Sequence, residues 1–121
     1  LVKNKGLEIF LVTGSGQLSL LEKLNRSFPN IFQKEKMVTA FDVKYGKPHP
    51  EPYLMALSKG NFDPWQAIVV ENAPLGVRSA IDAGIFTIAV NTGILQDEEL
   101  TKEGANVVFP TMKSLIESWD L

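Results

Sequence analysis

Short apolar runs alternate along this chain with segments of helical periodicity. The runs are Leu7–Val12 (LEIFLV), Met37–Val43 (MVTAFDV), Ala67–Val70, Phe86–Val90 and Val107–Phe109. Between the first two, Leu18, Leu21 and Leu24 recur at helical spacing with Leu20 beside them, so a helix is expected over Gln17–Phe28. Further helices are expected over Glu51–Lys59, Pro74–Ala83, Gln96–Glu103 and Thr111–Trp119. The stops fit, with Pro29-Asn30 after the first helix and Gly60, Gly84 and Gly104 after the next three. Asp63-Pro64 reads as an N-cap with the first helical residue behind it, and Thr111 as the cap of the last helix. Strands that alternate with helices and are apolar throughout form a parallel sheet covered on both faces. The predicted class is therefore α/β.

The chain has 121 residues, enough for one domain, and no repeat or linker divides it. A net charge of -2 gives no basic footprint for nucleic acid. With no cysteine there is no disulfide framework, thiolate nucleophile or cysteine zinc site, and a single histidine, His49, cannot build a metal cluster alone. No apolar run approaches the roughly 20 residues of a membrane helix and no secretion signal is visible, so a cytoplasmic protein without membrane partners is expected. The opening Leu1-Val2-Lys3-Asn4-Lys5-Gly6 reads as the tail of a helix, with lysines near its negative end and glycine as the stop. From this the chain is expected to be a piece of a longer protein.

In a parallel sheet, ligands bind beyond the carboxyl ends of the strands. Thr13 and the Glu71-Asn72 pair fall there. Thr13-Gly14-Ser15-Gly16 fits an anion cradle of outward N–H groups at a helix start, and it fits a plain N-cap with a tight turn equally well. A dinucleotide fingerprint is disfavoured, because Ser19 stands where the third glycine belongs. Lys47, directly before Pro48, is held extended on a proline-rich loop and suits pairing with a phosphate or carboxylate, although a lone loop lysine is more often only a solvated surface group. His49 between two prolines reads as an exposed loop residue. Glu71 and Asn72 offer hard oxygens of the kind magnesium prefers, and a carboxylate capping the next helix accounts for Glu71 as well. Asp42 and Asp82 are weaker candidates, one solvated at a strand end and one in the last turn of a helix.

Thr13 at a strand end, Lys47 in Gly46-Lys47-Pro48-His49-Pro50, and Val69-Val70-Glu71-Asn72-Ala73-Pro74-Leu75-Gly76-Val77 resemble, in this order, three of the four motifs of the haloacid dehalogenase-like superfamily. The likeness is closest to its β-phosphoglucomutase-like phosphatase and mutase branch, and Asp82-Ala83-Gly84-Ile85 and Thr87–Val90 extend it. The resemblance implies a Rossmann-like sheet and magnesium-dependent phosphoryl transfer on a small phosphorylated metabolite. It implies that Thr13 and Gly14 bind the phosphoryl group, that Lys47 neutralises phosphate and nucleophile oxygens, and that Glu71 and Asn72 hold Mg2+. The family has a second acid where Asn72 stands. Its nucleophile and acid/base form an Asp-x-Asp, which does not occur here. The resemblance therefore implies that residues 1–121 are the C-terminal part of the core domain. The nucleophile strand, the aspartate that carries the aspartyl-phosphate and the cap all lie outside it, and a preceding segment or a neighbouring chain completes the sheet. The alternative is a non-catalytic phosphate-binding or scaffold module of the same fold.

Overall fold

The computed structural model describes residues 6–16 and 18–119. The expected helix tail at residues 1–5 and the expected helix start at Gln17 lie outside them. The fold is α/β with parallel pairing throughout the described strands. Strand β1 (Leu11–Val12) pairs with β2 (Met37–Val38), and helix α1 (Leu18–Ser27) connects them. Helix α2 (Glu51–Gly60) leads to β3 (Ile68–Glu71), α3 (Pro74–Asp82), β4 (Phe86–Val90), α4 (Asp97–Lys102), β5 (Val107–Phe109) and α5 (Met112–Glu117). The sheet is incomplete, as expected: β1–β2 form one ladder and β3–β4–β5 another, so β1 and β3 each have one unpaired edge among the described strands.

The register shows how the core is layered. Val69 and Glu71 share a face of the second sheet with Thr87 and Ala89, their partners on β4. On that face Tyr53 and Leu57 of α2 pack with Val69, Ala80, Ala83 and Ile85. Next to them Val77 of α3, Ala89 and Leu100 of α4 form a second cluster. On the opposite face α5 brings Leu115 against Ile88 and Val90. That cover stops short of β3, and Ile68, Val70 and Phe86 remain 49%, 44% and 48% exposed. Helices thus lie on both faces, but the second face is covered only at its β4–β5 side.

Helix ends follow the sequence closely. Thr111 accepts the N–H of Ser114 at the start of α5, as expected. Gly84 and Gly104 adopt φ of +83° and +107° past α3 and α4, where a side chain would be strained. The stop of α2 falls one residue later than expected, on Asn61 with φ of 57°, a conformation asparagine tolerates. The two N-terminal strands are much shorter than expected. Beyond Val38 the chain turns, because Asp42 Oδ2 accepts the Thr39 N–H at 2.7 Å and the Thr39 hydroxyl at 3.1 Å. Asp42 also pairs with Lys59 at 3.6 Å, and the backbone hydrogen bond from Thr39 holds its carboxyl below the ordinary aspartate value. Local side-chain hydrogen bonding of this kind competes with strand ladders.

The unpaired edges of β1 and β3 make a specific expectation for the 121-residue polypeptide produced alone. Open edges bind other strands, and each buried backbone group left unpaired costs about 1–3 kcal/mol, against a total of roughly 5–15 kcal/mol for a small domain. The polypeptide should run above its 13.4 kDa monomer mass in size-exclusion chromatography with light scattering. A monomer with a cooperative melt and the same two sheets contradicts this.

Candidate functional site

Lys47 links the carboxyl ends of the two sheets. Its Nζ donates to the Val12 carbonyl of β1 at 3.3 Å and to Oε1 of Glu71 at the end of β3. The loop that carries Lys47 has a cis Lys47–Pro48 peptide. Its anchors are Glu51, whose carboxylate accepts the Lys44 and Tyr45 N–H groups at 2.8 and 2.9 Å, and Ser79, whose hydroxyl donates to the His49 carbonyl at 2.6 Å. The Glu51 carboxyl is held below its ordinary value by those two backbone donors. The lysine side chain keeps 20% of its surface exposed, while that of Glu71 keeps 8%.

Glu71 is enclosed rather than projecting. Oε1 also accepts the Tyr53 hydroxyl, and Oε2 accepts the Asn72 N–H at 3.2 Å. Burial and the adjacent Glu71 carboxylate push the Tyr53 phenol well above its ordinary value of 10, so it stays protonated and donates. Lys47 Nζ lies 5.2 Å from the centroid of the Tyr53 ring, a cation–π distance. Gly76 completes the enclosure: a Cβ there would overlap the Glu71 carboxylate.

Thr13 follows β1. Its N–H donates to the Val38 carbonyl at 2.9 Å and its Oγ1 accepts the Ser15 N–H at 3.1 Å. Thr13, Gly14 and Lys47 line a cleft of about 120 Å³ together with Ala40, Lys44 and Gly46. Nothing lies within 4 Å of the position a Cβ would take on Gly14, so the cleft is open above its backbone. The structure thus brings Thr13, Gly14 and Lys47 around one cleft and joins Glu71 to it through Lys47. Asn72 stands apart: it is exposed, and its Nδ2 donates to Thr92 Oγ1 at 3.3 Å.

The weaker sequence candidates resolve into scaffold roles. Asp42 holds the turn after β2, and Asp82 pairs with Arg78 at 3.4 Å while Arg78 also reaches Glu103 at 3.0 Å. His49 is exposed, as expected, and its Nδ1 accepts the Glu51 N–H at 3.0 Å. Sequence reasoning missed Tyr53 and Thr92, and it gave Gly76 no role although that glycine stands inside the Val69–Val77 motif. Tyr53 carried a signal: it stands a few residues beyond the Gly46–Pro50 loop already singled out.

Glu71 and Asn72 present one carboxylate and one amide oxygen at a strand end. These are hard donors suited to magnesium, but they carry one formal charge between them. Among the described residues no group of three or more acid, histidine or cysteine side chains gathers to hold a metal. With Oε1 of Glu71 taken by Lys47 and Tyr53, the remaining capacity of Oε2 and the Asn72 amide oxygen are what the pair would offer a magnesium ion. No described helix is long and apolar enough to cross a membrane.

Comparison with known proteins places the chain in a family. The model of the haloacid dehalogenase-like hydrolase family matches residues 1–90, and the chain belongs to that family. A solved structure from Bacteroides vulgatus, a presumed β-phosphoglucomutase, superposes with a TM-score of 0.92 at 59% identity, over 98% of this chain and 47% of that one. Validoxylamine A 7'-phosphate phosphatase of Streptomyces hygroscopicus subsp. limoneus is 50% identical over 56 residues, 46% of this chain and 26% of that protein. A phosphorylated carbohydrates phosphatase of Thermotoga maritima is 39% identical over 88 residues, 72% of this chain and 40% of that protein. The chain therefore spans well under half the length of these two curated relatives.

Proposed function

We propose that residues 1–121 form the C-terminal part of the core of a magnesium-dependent phosphatase or phosphomutase that acts on a small phosphorylated carbohydrate or polyol. The observation that carries this reading is the Lys47 ammonium, held between the end of β1 and the end of β3 beside the Thr13–Gly14 cleft. An ammonium has three donors. The Val12 carbonyl and Glu71 take two, which leaves one for a phosphate oxygen in the cleft. The Thr13 hydroxyl, whose oxygen accepts the Ser15 N–H, can turn its own proton outward to the same phosphate. Phosphoryl transfer asks a protein chiefly for positioning and charge neutralisation, and these residues provide both. Glu71 and Asn72 would hold part of the shell of a magnesium ion, which would neutralise the remaining phosphate charge. The nucleophilic aspartate belongs to a segment outside residues 1–121 that lies between the free edges of β1 and β3.

The test uses the parent protein that contains this chain. It should release phosphate from hexose or polyol phosphates, or interconvert hexose phosphates, only with Mg2+ present. Asn72→Asp adds a charge beside Glu71, so it should lower the Mg2+ concentration for half-maximal activity by about tenfold. An unchanged or raised requirement would remove Asn72 from the metal site, and no turnover of any ester would favour the scaffold alternative.

A further inference from the structure

We infer that Tyr53 is a positioning residue for this reaction: its hydroxyl, with the close approach of Gly76, locks the Glu71 carboxylate in the orientation that holds Lys47 at the cleft. The inference rests on the phosphoryl-transfer reading above. Tyr53 is 6% exposed and sits on α2, a helix that packs on β3 through Leu57 and Val69. Its hydroxyl donates to the same Glu71 oxygen that Lys47 engages. The Asn72 N–H fixes the other oxygen, and Gly76 sits against the carboxylate where any side chain would displace it. Three fixed contacts leave the carboxylate no second orientation. Lys47, held by that carboxylate, by the Val12 carbonyl and over the Tyr53 ring, is thereby pre-organised. Pre-organised charge stabilises a transition state without reorganising at the moment of reaction. Tyr53 does not line the cleft, so it acts through Glu71 and Lys47 and should leave substrate binding alone.

Tyr53→Phe keeps the buried ring and removes only the donor. Loss of a hydrogen bond to a charged group typically corresponds to about tenfold or somewhat more. In the parent protein kcat should fall about tenfold, with KM within about twofold of the original. Inhibition by vanadate, which mimics the five-coordinate phosphoryl group, should weaken by the same factor as kcat. In a Lys47→Ala background the same substitution should change kcat by less than about twofold, because residues acting through one another are not additive. An equal tenfold loss in both backgrounds, or an unchanged kcat, overturns the inference.

A proton NMR readout stands apart from turnover. The Tyr53 hydroxyl proton should appear as a slowly exchanging downfield signal, absent in Tyr53→Phe and in Glu71→Ala. Failure to see it in the unaltered protein, or its survival in Glu71→Ala, also overturns the inference. If the parent turns over no phosphate ester, the functional reading fails while this signal still decides whether the clasp exists.

Discussion

Replacing Lys47 with alanine should reduce kcat of the parent protein by a hundredfold or more, the usual order for losing a charge-stabilising donor. Stability should fall too. The substitution leaves the Glu71 carboxylate, 8% exposed, without its counter-charge, and breaking a buried pair by removing one partner costs about 3–5 kcal/mol. The two effects separate in the double variant Lys47→Met, Glu71→Gln. With both charges gone, the melting temperature should recover most of what Lys47→Ala loses, while kcat stays low. Calorimetry and steady-state kinetics on the three proteins check this. Recovery of activity together with stability would show that Lys47 is only a structural counter-ion.

Gly76→Ala should be nearly as damaging, although it adds a single methyl group to a helix. Alanine is the better helix former by about 1 kcal/mol, so a surface glycine replaced in this way would stabilise the fold. Here the new Cβ would overlap the Glu71 carboxylate, whose oxygens are already held by Lys47, Tyr53 and the Asn72 N–H. Overpacking of this kind costs about 1–3 kcal/mol, which corresponds to roughly 2–4 °C per kcal/mol in a protein of 150–250 residues. Because the displaced group is the one that holds Lys47, kcat should fall by at least tenfold alongside the melting temperature. Thermal denaturation and kinetics of the variant check both parts, and a rise in melting temperature would show that Glu71 has room to move.

The C-terminal half of the fold was legible because its signals are local and strong. Phe86–Val90 and Val107–Phe109 appear as strands with the bounds that periodicity suggests, and Thr111 caps its helix. The N-terminal half was less so. The run from Thr39 to Val43 looks like strand by composition, and only the reach of the Asp42 carboxylate back to Thr39 shows that it turns. In the same way, Thr13 and Lys47 were legible as candidates through the ordered motifs that resemble the family, since a strand end and a following proline alone left a plain N-cap and a surface lysine open. The engagement of Glu71 was not, because it depends on a tyrosine 18 residues away whose hydroxyl meets it only once α2 lies on β3. The Val12 carbonyl that receives Lys47 has no side-chain signature at all.

The division into two ladders has a thermodynamic consequence. No backbone hydrogen bond joins β1 to β3 in the described chain, so their spacing is set by α2 beneath them and by the reach of one lysine. On the proposed reading, whatever occupies the unpaired edges moves the same atoms that an anion in the cleft would contact. Edge occupancy and anion affinity are therefore linked functions, and linkage is reciprocal. If a strand seated there tightens phosphate binding by some factor, phosphate tightens the seating of that strand by the same factor.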